Sequence, residues 1–161
     1  MEIESGRNIG EKRNFGVLHA RGEIIAHWDD DDFSAPGRLA DQLGRLQESG
    51  GKAVTGYSSI YFGNAAGEWW LYTGSRGTVV GTSLCYWKSW AVAHPFPSKQ
   101  IGEDSDFSHN ALRWNKLIAA EAGLLMGASI HKGNTSPGKG KTSYYHRDPE
   151  FQGIVGMEFQ I

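Results

Sequence analysis

The apolar run Ile24-Ile25-Ala26-His27-Trp28 leads directly into four consecutive aspartates, Asp29 to Asp32. A short apolar run of this kind reads as a buried strand. Packing four carboxylates at its end is unfavourable unless something positive compensates them. A divalent cation is the simplest compensator, because hard cations such as Mg²⁺ prefer carboxylate oxygens. In extended backbone alternate side chains share a face, so Asp29 and Asp31 are expected to point at one ion and Asp30 away from it. A solvated acidic loop that caps the next helix fits the same four residues. On the run alone both readings stand, and the surrounding residues shift the balance toward the ion.

Asn8 followed by Glu11 has capping-box spacing, which predicts a helix from Ile9 to about Ala20, ended by Gly22. After the acidic run, Ser34 and Pro36 predict the start of a second helix. Leu39, Leu43 and Leu46 recur on one helical face, and Gly50-Gly51 ends the pattern. Residues 53–62 and 68–72 flank Gly63-Asn64-Ala65-Ala66-Gly67 and predict a hairpin. Thr78 to Trp87 is a further strand candidate. Asp104 or Ser105 is expected to cap a helix reaching about Trp114, with Phe107, Ala111 and Leu112 inward. Residues 122–131 are apolar and strand-like, and the chain beyond Lys132 is rich in Gly, Lys, Ser and Tyr, with a possible strand at Ile154–Ile161. Helix, strand and helix followed by antiparallel material indicate one α/β domain.

Two further groups stand out. Gly102-Glu103-Asp104-Ser105-Asp106-Phe107 places an acidic pair at a helix start, where capping and dipole complementarity are sufficient reasons for it. His131-Lys132-Gly133-Asn134-Thr135-Ser136 is a polar turn after an apolar strand, and Gly and Asn make ordinary turns. Gly133 to Lys139 begins like a phosphate-binding loop, but Gly140 occupies the place of the required Ser or Thr. A calcium loop of EF-hand type fails at Phe33. The formal net charge of −2 argues against a nucleic-acid-binding role, which calls for a basic face. Cys85 is the single cysteine, so no internal disulfide exists, and a small buried hydrophobe is its ordinary role. No apolar run reaches ~18 residues, so no membrane span is expected. Met1 to Gly6 carries no signal-peptide core, and a cytoplasmic location follows.

In this order the three groups resemble the family 2 glycosyltransferases of GT-A fold. There a strand ends in D-x-D-D and a helix follows near a Pro. Here the counterpart is Ala20 to Asp32, with Pro36, Arg38, Leu39 and Gln42 beyond. Gly81-Thr82-Ser83-Leu84, Pro95-Phe96 and Glu103-Asp104 match the family's G-x-S/T-x strand, Pro-Phe and E-D pair, and His131 to Ser136 matches its terminal H-x-x-N-T-S. The resemblance covers about Arg7 to Ser136. It implies an α/β, GT-A-like mixed sheet flanked by helices over residues 1–136, followed by a Gly/Lys-rich, loop-like tail over residues 137–161. Relative to the family the chain opens inside the helix before the acidic run, so the domain is expected to be N-terminally truncated, without the half that binds base and ribose. The strand edge left by that omission would be covered by a homodimer.

The function implied is transfer of a sugar from a nucleotide-diphosphate donor to an acceptor hydroxyl, with inversion. The alternative is a non-catalytic fragment or binding module, and a metal-dependent phosphohydrolase is a third class. Mn²⁺ or Mg²⁺ would be held by Asp29 and Asp31, with Asp32 as alternate ligand. Asp29, Arg38 and His131 would meet the donor, Asp104 would be the base and Glu103 would orient the site. Trp69, Trp70 and Tyr72 fit an acceptor platform or plain cross-strand packing. Lys139, Lys141, His146 and Arg147 fit a solvated loop better than a closure over phosphates.

Overall fold

The structure is a computed structural model that describes residues 6–74, 77–134 and 143–157. The first helix, α1 (Ile9–His19), begins with the expected capping box. Asn8 Oδ1 accepts from the Glu11 N–H at 3.0 Å, and Glu11 Oε2 accepts from the Asn8 N–H at 3.1 Å. Gly10 is required by close approach: a Cβ there would lie 1.9 Å from the Pro97 carbonyl oxygen. The helix therefore lies directly against the loop that precedes the second acidic group.

The apolar run forms a shorter strand than its pattern indicates, β1 (Ile24–Ala26). The acidic residues after it form a turn, followed by the two-residue strand β2 (Phe33–Ser34). Ser34 is therefore a strand residue and not a helix cap. The helix α2 (Arg38–Glu48) starts after Gly37 with no side-chain cap, and Ser34 Oγ instead accepts from Arg38 Nη1 at 2.7 Å. Its buried positions are Arg38, Gln42 and Leu46, while Leu39 is 46% exposed. The leucine face is displaced because Arg38 and Gln42 find buried carbonyl acceptors, which makes their burial tolerable.

One long strand, β3 (Val54–Asn64), organises the sheet. On one edge it pairs antiparallel with β5 (Cys85–Trp87) and then β4 (Trp69–Thr73). On the other it pairs parallel with β6 (Leu117–Glu121) and then β7 (Met126–Ile130). The hairpin across residues 63–69 is as expected. The apolar stretch read as one strand over 122–131 begins instead with a turn over residues 122–125, containing Gly123 at φ 54°, and only Met126–Ile130 is extended. In that turn the Leu125 N–H reaches the Ala122 carbonyl at 2.9 Å. Residues 78–87 also form less strand than expected: Gly81–Ser83 is a single turn of 3-10 helix and only Cys85–Trp87 is extended.

Two helices follow β5, α3 (Lys88–Ala93) and α4 (Glu103–Arg113). The latter starts one residue before Asp104, after Gly102 at φ 82°, and neither Asp104 nor Ser105 is its cap. Phe107 and Ala111 are buried as expected, but Leu112 is exposed. Tyr145–Arg147, inside the loop-rich tail, forms a strand β8 on the outer edge of β4. Ile154 to Met157 makes a turn and no strand, and the rest of that expected strand lies outside the described residues.

The core has two parts. Tyr86, Phe96 and Phe107 pack with Val54 and Leu84. Tyr57, Ile60, Phe62, Met126 and Ala128 form the second. This is an α/β fold with a mixed sheet flanked by helices, as expected.

Candidate functional site

The acidic turn is fixed by what it touches. The Asp32 N–H reaches the Asp29 carbonyl at 3.3 Å. Asp32 Oδ2 accepts from Thr82 Oγ1 at 2.7 Å and Oδ1 accepts from the Ser129 N–H at 3.0 Å. Ser129 Oγ donates to the Asp31 carbonyl. The turn is thereby attached both to β7 and to the 3-10 turn. One carboxylate oxygen from each of Asp29, Asp31 and Asp32 lies within 4.8 Å of the other two. Hard divalent cations take carboxylate oxygens, so the donor set fits Mg²⁺ or Mn²⁺ in its chemistry. Asp30 departs from expectation, since it lines the same cavity as Asp29 and Asp31. The four residues form a turn and not a strand, so side chains do not alternate.

His131 reaches the turn from the end of β7. Its Nδ1 accepts from the Gly133 N–H at 3.1 Å, which places a ring proton on Nε2, 2.6 Å from Asp31 Oδ2. His131 therefore orients Asp31.

Arg38 is not where a donor-binding residue must be. Its side chain is 0% exposed and absent from the cavity wall. Nη2 donates to the carbonyls of His27 and Thr82, each at 2.9 Å, and the guanidinium lies 5.0 Å below the Trp28 ring. Burial lowers its pKa from the usual arginine value. Arg38 fixes the backbone behind the acidic turn, and Trp28, 53% exposed, covers it on the cavity side.

The second acidic group faces the first. Glu103 and Asp104 open α4 and line one cavity of about 740 Å³ together with Asp29, Asp30 and Asp31. Glu103 is buried, and its Oε1 accepts from Arg13 Nε at 3.0 Å. The Asp104 carboxylate rests on Gly81. The opposing charges on the wall are Lys12 and Arg13, and Arg13 is already paired with Glu103. The net excess in the cavity is negative, which suits a cation.

Arg13 and His27 belong to the site although no motif points to them. The Arg13 guanidinium lies against the buried His27 ring, with Nη1 2.5 Å from Nδ1. His27 donates from Nδ1 to the Gly81 carbonyl at 2.8 Å, and Nε2 accepts from Tyr86 Oη at 3.1 Å. Burial first, then the Arg13 charge, pulls its pKa down to about 3, so the ring is neutral. These contacts span 14 to 90 residues of sequence, beyond the reach of local spacing.

Of the three aromatics expected at an acceptor platform, Tyr72 lines the cavity, with Tyr145 beside it. Trp69 is buried with its ring edge-on to Phe151, at 5.3 Å between centroids, and Trp70 is not on the wall. Arg147 pairs with Glu68 at 2.9 Å and His146 meets Thr73 Oγ1 at 3.0 Å, both away from the cavity. Lys139, Lys141, Thr135 and Ser136 lie outside the described residues. No helix among the described residues is long and apolar enough to cross a membrane.

No curated protein matches the chain. The sequence profile of glycosyl transferase family 2 matches residues 2–119, a span that holds the acidic turn, the Gly81–Ser83 turn and the start of α4. With most of its length in that match, the chain belongs to glycosyl transferase family 2.

Proposed function

We propose that the protein transfers a sugar from a nucleotide-diphosphate donor to an acceptor hydroxyl, with inversion, and that it needs Mn²⁺ or Mg²⁺ to do so. Family membership supports glycosyl transfer. The observation that carries the finer reading is the one cavity that Asp29 and Asp31, clustered with Asp32 behind them, share with the separate Asp104.

Asp29 and Asp31 are the principal ligands, with Asp32 behind them as a tether and alternate ligand. A cation bound there supplies Lewis-acid charge neutralisation for the departing nucleoside diphosphate. His131 holds Asp31 in its ligating orientation. Asp104, in the first turn of α4, accepts the proton of the acceptor hydroxyl as its oxygen attacks the anomeric carbon. The bond to the diphosphate breaks on the opposite face, which inverts the configuration. Glu103, fixed by Arg13, holds the first turn of α4 in place. Tyr72 and Tyr145 offer apolar surface to the acceptor.

Calorimetric titration with nucleoside diphosphates, with and without Mn²⁺, tests this. The parent chain is expected to bind one of them only with the metal, and Asp31→Ala is expected to keep the fold and lose that binding. Equal binding by parent and variant removes the role assigned to Asp31. No metal-dependent binding at all leaves the non-catalytic module.

A further inference from the structure

The 3-10 turn Gly81–Ser83 lies between the two acidic groups and touches both. At one end Thr82 Oγ1 holds Asp32 Oδ2 at 2.7 Å. At the other, a Cβ added to Gly81 would stand 1.7 Å from Asp104 Oδ2 and 2.6 Å from Asp104 Cγ. Gly81 is not among the residues of positive φ, so the backbone does not demand glycine there. The Asp104 carboxylate is what leaves no room for a side chain.

The turn is also fixed from behind, carbonyl by carbonyl. Gly81 O accepts from His27 Nδ1 at 2.8 Å, Thr82 O from Arg38 Nη2 at 2.9 Å and Ser83 O from Gln42 Nε2 at 2.6 Å. All three donors belong to buried side chains. Ser83 Oγ adds a bond from the Tyr57 N–H at 2.7 Å. A segment with every carbonyl held by a buried donor cannot shift without breaking several hydrogen bonds in a low-dielectric interior.

We propose that Gly81 and Thr82 are positioning residues: one rigid piece of backbone sets the carboxylate of Asp104 in register with the Asp29–Asp32 cluster. This rests on the reading of those groups as base and cation ligands. Thr82 acts on the cluster through Asp32, and Gly81 acts by having no side chain, so that Asp104 lies against the main chain of the same turn. Two adjacent residues then fix the spacing between cation and base. Catalytic groups need placement to within about 0.5 Å, and a misplacement of about 1 Å costs on the order of 100-fold in rate.

The test uses the whole chain and two readouts that need no substrate. With carboxyl-¹³C aspartate, the Asp104 signal is assigned from its loss in Asp104→Asn. In Gly81→Ala the methyl group displaces the carboxylate, and that signal is expected to move well beyond its linewidth. An Asp104 signal left in place in folded Gly81→Ala overturns the proposal. Independently, Mn²⁺ alone is titrated by electron paramagnetic resonance. Thr82→Val, which keeps the shape and removes the hydroxyl, is expected to bind about 10-fold more weakly, the usual effect of losing a group that orients a metal ligand. Thr82→Ser is expected to restore the parent affinity. Thr82→Val binding Mn²⁺ as tightly as the parent overturns the proposal while the functional reading stands. A parent chain that binds no Mn²⁺ removes both, so the two failures are told apart.

Discussion

Asp31 and Asp104 carry the same functional group in opposite surroundings, and their proposed chemistry differs accordingly. Asp31 is tied to His131 through its carboxylate and to Ser129 through its carbonyl, which suits a ligand held in one orientation. Asp104 lies on bare main chain at Gly81, with Oδ1 accepting from the neighbouring Ser105 N–H at 2.7 Å, and its carboxylate faces the cavity. Asp104→Asn removes the proton acceptor and keeps the shape. The expected outcome is donor binding within error of the parent by calorimetry, with turnover lower by roughly 10²–10⁴, the usual worth of a positioned base. A variant that turns over at the parent rate removes Asp104 as the base. The acidic run was conspicuous in the sequence because it directly follows an apolar run, whereas Asp104 was singled out only by the resemblance to family 2 glycosyltransferases. The role of Arg38 was not legible. An arginine that meets a phosphate and one that meets backbone carbonyls look alike in a sequence, and only its complete burial separates them. Arg13 and His27 were invisible for a different reason: each gains its meaning from a partner on another element.

At the scale of elements, α4 shows how one helix serves both site and core. Its first turn carries Glu103 and Asp104, and one turn further on Phe107 stacks on Phe96 at 4.0 Å between centroids and packs on Tyr86 at 4.9 Å. Phe107 is thus the anchor that keeps the acidic start of the helix against the cavity. Phe107→Ala is expected to cost about 3–5 kcal/mol in urea unfolding, the range for deleting a buried aromatic ring, and to weaken metal-dependent nucleotide binding as the helix start loosens. A loss below about 1 kcal/mol would show that α4 is held by something else. The elements that the sequence declared correctly are those governed by local chemistry. The Asn8–Glu11 box started α1, and Gly and Asn between alternating strands made the hairpin. The misread elements depend on distant partners. The inward face of α2 was set by carbonyls at residues 27, 82 and 83, and the break between β6 and β7 by pairing along β3. β8 is strand only because β4 offers it an edge.

For the molecule as a whole, the sheet gathers residues from three separate stretches of chain onto one cavity, and the same gathering leaves a titratable ring in the interior. His27 is held neutral with a pKa of about 3, against an ordinary value of 6.5. In the unfolded chain that ring takes up a proton as the pH falls through about 6.5, while in the folded chain it does not until about 3. Between those values the unfolded state binds more protons, so stability rises with pH. The stabilising contribution is complete above the unfolded pKa and is lost progressively as the pH drops through the window toward the folded one. With each pKa unit equivalent to about 1.4 kcal/mol, the loss between about pH 7 and pH 5 should be about 2 kcal/mol. Carboxylates shifted downward by folding, such as Asp41 beside Arg45, lose their contribution only at lower pH, and comparison with a His27 variant separates this ring from the other five histidines. Urea unfolding at several pH values within it is the measurement. His27→Gln, which keeps polar atoms near the Gly81 carbonyl and cannot titrate, should start less stable and show a flat profile across the same interval. A profile as steep as the parent's would mean that the proton enters elsewhere. A parent profile that is already flat would mean that the ring is charged in the fold, and with Arg13 lying against it that would require a different arrangement of the whole Glu103–Arg13–His27 group.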